Sequence, residues 1–283
     1  MSKNESCMFC GFQADTREHV IPQWMHKKFG IKHDKLMIRN DTEVKYIHQV
    51  MPACAKCNGN RFSPIEERVK NGSASSQDLY VWALKIYVGL NLKDTQLLED
   101  RRTPSKGTVL TEEESIKGIE FSKEILKNYG CVNFSLFPMP FGSVFINELP
   151  TNFESTFALA SIGYPYNIIT VILDDRKLLT VILNDKGVVS NAIVNGLFSS
   201  EGLFENLSEK LANNGMPLTA NMYAQMLTFI YAKLKCRLDI PKGFLCSKKR
   251  VEALRVRNKI KLIECDDFAV AKDLAYKLFR IDL

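Results

Sequence analysis

Long apolar runs are missing from this chain of 283 residues, and that absence is the first constraint. A membrane-spanning helix needs roughly eighteen or more consecutive apolar residues. The longest candidates, such as Ile168 to Leu173, are interrupted within a few positions. The opening Met-Ser-Lys-Asn-Glu-Ser-Cys carries an acid and no apolar core, unlike a secretory leader. The chain is therefore expected to be soluble, cytoplasmic and independent of membranes. Fifteen glycines and ten prolines leave no room for a collagenous or low-complexity reading, and no internal repeat is visible. Histidine is scarce: all four (His19, His26, His33, His48) fall near the start. The net charge of +6 is a mild excess, compatible with a polyanion partner but not evidence of one.

What is present is uneven. Of eight cysteines, Cys7, Cys10, Cys54 and Cys57 form two C-x-x-C pairs, and Cys131, Cys236, Cys246 and Cys265 are scattered singly. Paired knuckles in a chain without a leader argue for metal over disulfides. Each C-x-x-C turn brings two thiolates to one tetrahedral ion, and two turns complete a closed four-sulfur zinc site. Gly11, after the first knuckle, supplies permissive backbone. Such a site leaves no open position for water and is structural; the alternative is four unrelated buried cysteines.

The small polar stretch Lys70 to Ser76 reads as a linker between a Cys/His-rich module, residues 1–74, and a larger domain, residues 75–283. Beyond it, Leu79, Trp82, Ala83, Ile86 and Leu90 recur at helical spacing, with Ser76 as a candidate cap. Thr111 to Glu114 has the form of a capping box opening a helix that ends near Gly130. Asn167 to Asp174 and Lys177 to Leu183 read as a strand hairpin, with a further turn at Asn184 to Gly187. Helices are expected near 200–213, 219–236 and 266–279. The fold class is α+β: a small zinc-stapled module followed by a larger α+β domain.

Between the knuckles lies Thr16-Arg-Glu18-His19-Val-Ile-Pro22-Gln-Trp24, and Asn58 directly follows Cys57. Glu18 is a hard oxygen ligand suited to Mg²⁺ or Mn²⁺, and Asn58 offers an amide oxygen. His19, with a reference pKa near 6.5, is a candidate base for water. Ser63-Pro-Ile-Glu66 reads as a capping box with proline at the first helical position, which makes Glu66 a cap, with a ligand role as the minor alternative. Trp24 and Phe29 read as core of the small module, and no role falls to His26 or His33. Arg61 reads equally as a phosphate contact or a solvated helix residue.

These residues resemble the HNH endonucleases, the ββα-metal nucleases, in the version stapled by four cysteines. The resemblance covers Cys7 to about Lys70. It implies a ββα-metal module in which His19 is the general base, Glu18 and Asn58 hold one divalent ion, and Cys7, Cys10, Cys54 and Cys57 hold Zn²⁺. The family's acid is more often Asp, and where it has a middle Asn this chain has His48-Gln49, either of which could orient His19. The implied activity is metal-dependent hydrolysis of phosphodiester bonds, with DNA as the expected substrate and a microbial defence role as one setting. A protein partner restraining activity fits such an enzyme. The competing readings are a non-catalytic zinc-stapled nucleic-acid reader and an interaction subunit of a larger complex.

One further motif lies near the C-terminus. As a strand, Leu254 to Leu262 puts Arg255, Arg257, Lys259 and Lys261 on one face, just after Lys248-Lys-Arg250. Side chains on one face repeat every ~6.6–7 Å, close to the phosphate spacing of a nucleic-acid strand. Protection of a sheet edge is the competing explanation. If the stretch tracks phosphates, replacing these four residues together weakens nucleic-acid binding and flattens its salt dependence by about one unit of slope per contact. An unchanged slope in a salt titration assigns the stretch to edge protection.

Overall fold

A computed structural model describes residues 5–37, 43–129, 142–194 (apart from 152, 165 and 186) and 219–237. The chain forms two compact units, 1–138 and 139–283. Both mix helices with antiparallel sheet, and the fold is α+β. No described helix is long and apolar enough to cross a membrane. The expected helices near 200–213 and 266–279, and the basic residues Arg255, Arg257, Lys259 and Lys261, lie outside the described residues.

In the first unit, β1 (Thr16–His19) pairs antiparallel with β4 (Val50–Ala53), setting Glu18 opposite Met51 and His19 opposite Val50. The intervening chain holds α1 (Gln23–Lys28) and a small ribbon of β2 (Lys35–Met37) and β3 (Glu43–Lys45). After β4, a wide π-type turn of helix at Lys56–Phe62 runs directly into α2 (Ser63–Lys70). Both knuckles are tied to the strand pair. Met8 N–H donates to the Pro52 carbonyl at 2.9 Å, and Ala55 N–H donates to Asp15 Oδ1 at 2.7 Å. Gly11 takes φ +78°, the left-handed conformation that closes the first knuckle through a 2.9 Å bond to the Cys7 carbonyl.

The capping-box reading of Ser63 to Glu66 is corrected. The π-type stretch already occupies the positions before Ser63, so its orphan N–H groups are not there to be capped, and no side-chain cap bond forms. Proline does sit in the first turn. The reciprocal box occurs instead at α3 (Ser76–Asp94), where Ser75 and Asp78 cap one another, one residue before the expected Ser76.

Helix α3 explains why the break in the chain falls after Pro138, although the polar linker suggested residue 74. Every residue from Leu79 to Gly89 is buried, so the helix needs cover on all sides. It packs against α2, β4 and α4 (Glu112–Asn128), and Arg68 clamps its first turn through a bidentate pair with Asp78 at 2.6 and 3.0 Å. The Ser/Gly-rich linker is a tight reversal inside one unit.

In the second unit, β5 (Ser143–Glu148), β6 (Leu159–Ile162), β7 (Ile168–Asp174) and β8 (Lys177–Ile182) form an antiparallel sheet in the order β5-β8-β7-β6. The β7–β8 hairpin matches the sequence reading, and Asp174 Oδ1 accepts from Arg176 N–H at 2.9 Å in the turn. Asp185 caps α5 (Val188–Val194) through Val189 N–H and receives the Ser143 hydroxyl at 2.6 Å. Helix α6 (Ala220–Arg237) covers β6 and β7, and its buried Lys235 is satisfied by the Tyr166 carbonyl and Asn184.

Gly89 fixes how closely α3 approaches β1. A Cβ there would lie 2.9 Å from Cγ1 of Val20, a stiff β-branched side chain only 1% exposed. Overpacking typically costs ~1–3 kcal/mol, more than the ~1 kcal/mol that alanine gains as a helix former. Gly89→Ala is therefore expected to lower stability in urea unfolding. A stabilised variant would show that the contact yields freely.

Candidate functional site

Two knuckles anchored to neighbouring strands bring four sulfurs together. The Sγ atoms of Cys7, Cys10, Cys54 and Cys57 all lie within 4.8 Å of one another, and Cys10 and Cys54 are 3.7 Å apart. Sulfurs around a tetrahedral zinc at ~2.3 Å stand about 3.8 Å apart, so the cluster fits such an ion. The thiols are free, not disulfide-bonded, and the four could hold a metal such as zinc. Burial pushes the Cys7 and Cys57 thiols up. Desolvation acts the same way on Cys10, but backbone and thiol hydrogen bonds outweigh it and hold that group below its usual value. A bound cation replaces the protons that burial otherwise retains.

Arg61 takes a place that neither reading of the sequence foresaw. Its Nη1 donates to Cys57 Sγ at 3.3 Å, while Nη2 donates to the carbonyls of Leu126 at 2.8 Å, Lys127 at 3.0 Å and Tyr129. The guanidinium closes the C-terminal end of α4, where a cation favours both the helix dipole and the orphan carbonyls. With those donors committed inside the protein, Arg61 is a structural bridge, and the expectation of a nucleic-acid contact at this residue is withdrawn.

Strand β1 gathers the remaining residues. Glu18 is 7% exposed and forms an ion pair with Lys85 of α3, whose ammonium also engages Glu66 of α2. The residue expected to cap a helix thus shares a cation with Glu18. His19, next along, is half-buried, and its Nδ1 lies 3.1 Å from the Gln23 amide. Desolvation lowers the His19 pKa; Glu18 opposes that shift and Lys85 reinforces it. Asn58 reaches back to the same strand, its Nδ2 donating to the Arg17 carbonyl at 3.3 Å and Thr16 Oγ1 at 3.4 Å. The structure therefore brings Glu18, His19 and Asn58 to one short strand.

His26, to which the sequence assigned no role, sets its ring edge-on to His19 with centroids 5.7 Å apart. Its pKa is lowered by burial first and by His19 and Lys32 after. Gln49, of the pair expected to orient His19, is 1% exposed and holds the Val20 N–H at 2.8 Å through its carbonyl. His48 is exposed. Trp24 stacks on the buried Trp82 but is itself half-buried, as is Phe29, so neither is the core residue that the sequence suggested. Beside Glu66 opens a cleft of about 600 Å³ lined by Gln23, Trp24, Ser63 and Glu67 together with Lys27, Lys28 and Lys70.

Lys85 is the site residue that the sequence reading missed. Its signal was present: it is the lone charged residue between Asp78 and Lys93, in a stretch otherwise apolar enough to be core. For a catalytic divalent ion, the ammonium serves as a natural test of fit. Two carboxylates from different elements converge on one positive charge here, and their oxygens are hard donors of the kind a divalent cation takes. Comparisons with family models, with curated proteins and with solved structures find no match for this chain.

The thiol cluster is directly testable. Elemental analysis of protein purified without chelator is expected to find about one zinc per chain, as a single four-sulfur site requires. Cys54→Ser is expected to make the knuckle region protease-sensitive, since metal binding and folding are coupled in small modules. A metal-free protein that stays fully folded would refute the assignment.

Proposed function

We propose that this protein is a metal-dependent endonuclease of the HNH type that hydrolyses phosphodiester bonds, with DNA as its substrate. One observation supports this above the others: Glu18 and His19 end the strand paired with β4, and β4 leads into the knuckle whose Asn58 returns to that strand. Two strands and a helix thus converge on an acid, a base and an amide, held by a sulfur cluster that takes no part in the chemistry.

His19 is the general base. The Gln23 amide nitrogen lies 3.1 Å from Nδ1 and 3.5 Å from Nε2, and the two ends of that amide have the same shape, so that either can face the ring. Turned end for end, the amide would present its oxygen to Nδ1–H and fix the ring, leaving the Nε2 lone pair to take a proton from water. Desolvation keeps the imidazole neutral near pH 7, the form a base requires. Glu18 and Glu66 would hold the divalent ion, with Asn58 contributing its amide oxygen from the knuckle side. That ion supplies charge stabilisation at the phosphate and the leaving oxygen when bound. Lys27 and Lys28 beside the adjoining cleft offer positive charge to a polyanion, while Lys70 is paired with Glu67.

A second reading draws on the ion pair itself. Lys85 already neutralises much of the charge on Glu18, as expected if the acid serves structure and the module binds nucleic acid without cutting it. Metal dependence separates the two: a nuclease needs added Mg²⁺ or Mn²⁺, and a reader does not. A defence role, with a partner restraining the enzyme, belongs to the nuclease reading.

In a plasmid-cleavage assay, His19→Ala is expected to lower the rate by ~10²–10⁴-fold, the usual contribution of a general base. Zinc content and fold are expected to remain. Wild-type activity should rise with pH as the imidazole deprotonates and level off, with its inflection below about pH 6.5 because burial lowers that pKa. The alanine variant's residual rate should lack the inflection. Cleavage by His19→Ala at the wild-type rate transfers the site to the reader.

A further inference from the structure

We infer that Lys85 is the internal counter-cation of the Glu18–Glu66 site and sets its affinity for divalent ions by electrostatic competition. The inference rests on the nuclease reading only in taking these carboxylates as the cation site.

A buried lysine is costly, because its ammonium loses water and its long stem loses freedom. Lys85 is buried to 2% side-chain exposure in the middle of α3, among Trp82, Ala83, Leu84 and Ile86. Two carboxylates delivered by two other elements meet it there, Glu18 from β1 and Glu66 from α2. Three segments distant in sequence thus meet at one positive charge.

The exposures give the site a direction. The Glu66 side chain is 23% exposed and borders the cleft, whereas the side chains of Glu18 and Lys85 are 9% and 2% exposed. An incoming ion therefore reaches the pair from the Glu66 side, while the ammonium holds the buried side. The charges decide the rest. Two carboxylates and one ammonium leave a single negative charge, and a divalent ion turns this to a single positive charge. That loaded state complements one phosphodiester, whereas the same pair without Lys85 would be neutral once loaded. The ammonium and the ion repel across a partly desolvated pair, where screening is weaker than in water. Lys85 thus weakens metal binding by the free protein and leaves the loaded site with charge to spend on phosphate.

The test is Mn²⁺ binding, followed by calorimetry and by the paramagnetic signal, on protein carrying zinc at its thiols. Thiolates prefer the softer ion, so the two sites remain distinct. Lys85→Met keeps the length of the stem and removes the charge. It is expected to bind Mn²⁺ about tenfold or more tightly than wild type, a coupling of ordinary size between two sites. Lys85→Arg, which keeps the charge, is expected to gain no affinity, and adding Glu66→Gln to Lys85→Met is expected to abolish the gain. If zinc-loaded Lys85→Met is unfolded when zinc is the only divalent ion present, adding Mn²⁺ during refolding in zinc should restore it by taking the place of the ammonium. Unchanged or weaker Mn²⁺ binding by a folded Lys85→Met, or failure of Mn²⁺ to restore an unfolded one, overturns the inference. Cleavage distinguishes this failure from that of the nuclease reading. Tighter Mn²⁺ binding with no cleavage in any variant removes the nuclease reading and leaves Lys85 as the counter-cation. Cleavage that depends on His19, with Mn²⁺ affinity indifferent to Lys85, removes this inference alone.

Discussion

Four sulfurs within 4.8 Å of one another bring two knuckles distant in sequence to one point of the first unit. They join a turn near the chain start to a turn more than forty residues later, across a stretch whose Val20, Ile21, Met25 and Met51 are buried. Closing so long a loop carries an entropic cost that this burial and the knuckles offset together. The knuckles also lie against β1 and β4, so the atoms that gather the sulfurs align the strand bearing Glu18 and His19. The placement of Glu18 and His19 follows from that alignment.

The second organising element is α3. A helix buried on every side is ordinarily a core helix with little that is charged in it, and between Leu79 and Gly89 α3 follows that rule except at Lys85. The exception lies where β1 and α2 approach, so the hydrophobic core and the charged site share one helix. Gly89 lets that helix come close to Val20, the residue after His19. Packing and chemistry are therefore coupled by geometry within a few residues on either element.

What could be read from the sequence was local. The C-x-x-C spacing, the adjacent Glu18 and His19, and the β7–β8 hairpin each lie within a few residues, where short-range geometry decides the outcome. What escaped reading was long-range. Lys85 stands 67 residues from Glu18, and no periodicity links them. The same cause misplaced the boundary: Ser73 to Ser76 has the composition of a linker, but the helix beyond it is buried against the module before it. Ser63 and Glu66 had the spacing of a cap, and a helical stretch entering from Lys56 removed the free end that a cap would serve. Arg61 illustrates the limit most plainly. Its partners at the end of α4 are more than sixty residues away, and a basic residue after a knuckle looks the same whether it faces phosphate or carbonyl oxygen.

That bridge gives the sulfur cluster a reach beyond its own knuckles. Arg61 touches the Cys57 sulfur with one nitrogen and the closing carbonyls of α4 with another. A thiolate attracts the guanidinium more strongly than a neutral thiol does, and an oxidised sulfur alters both its charge and its shape. A single rigid planar group therefore links that sulfur to the place where α4 ends. The cysteine cluster is thereby tied to a helix terminus far along the chain from the knuckles, and any change of charge on the Cys57 sulfur acts on a group that also closes α4.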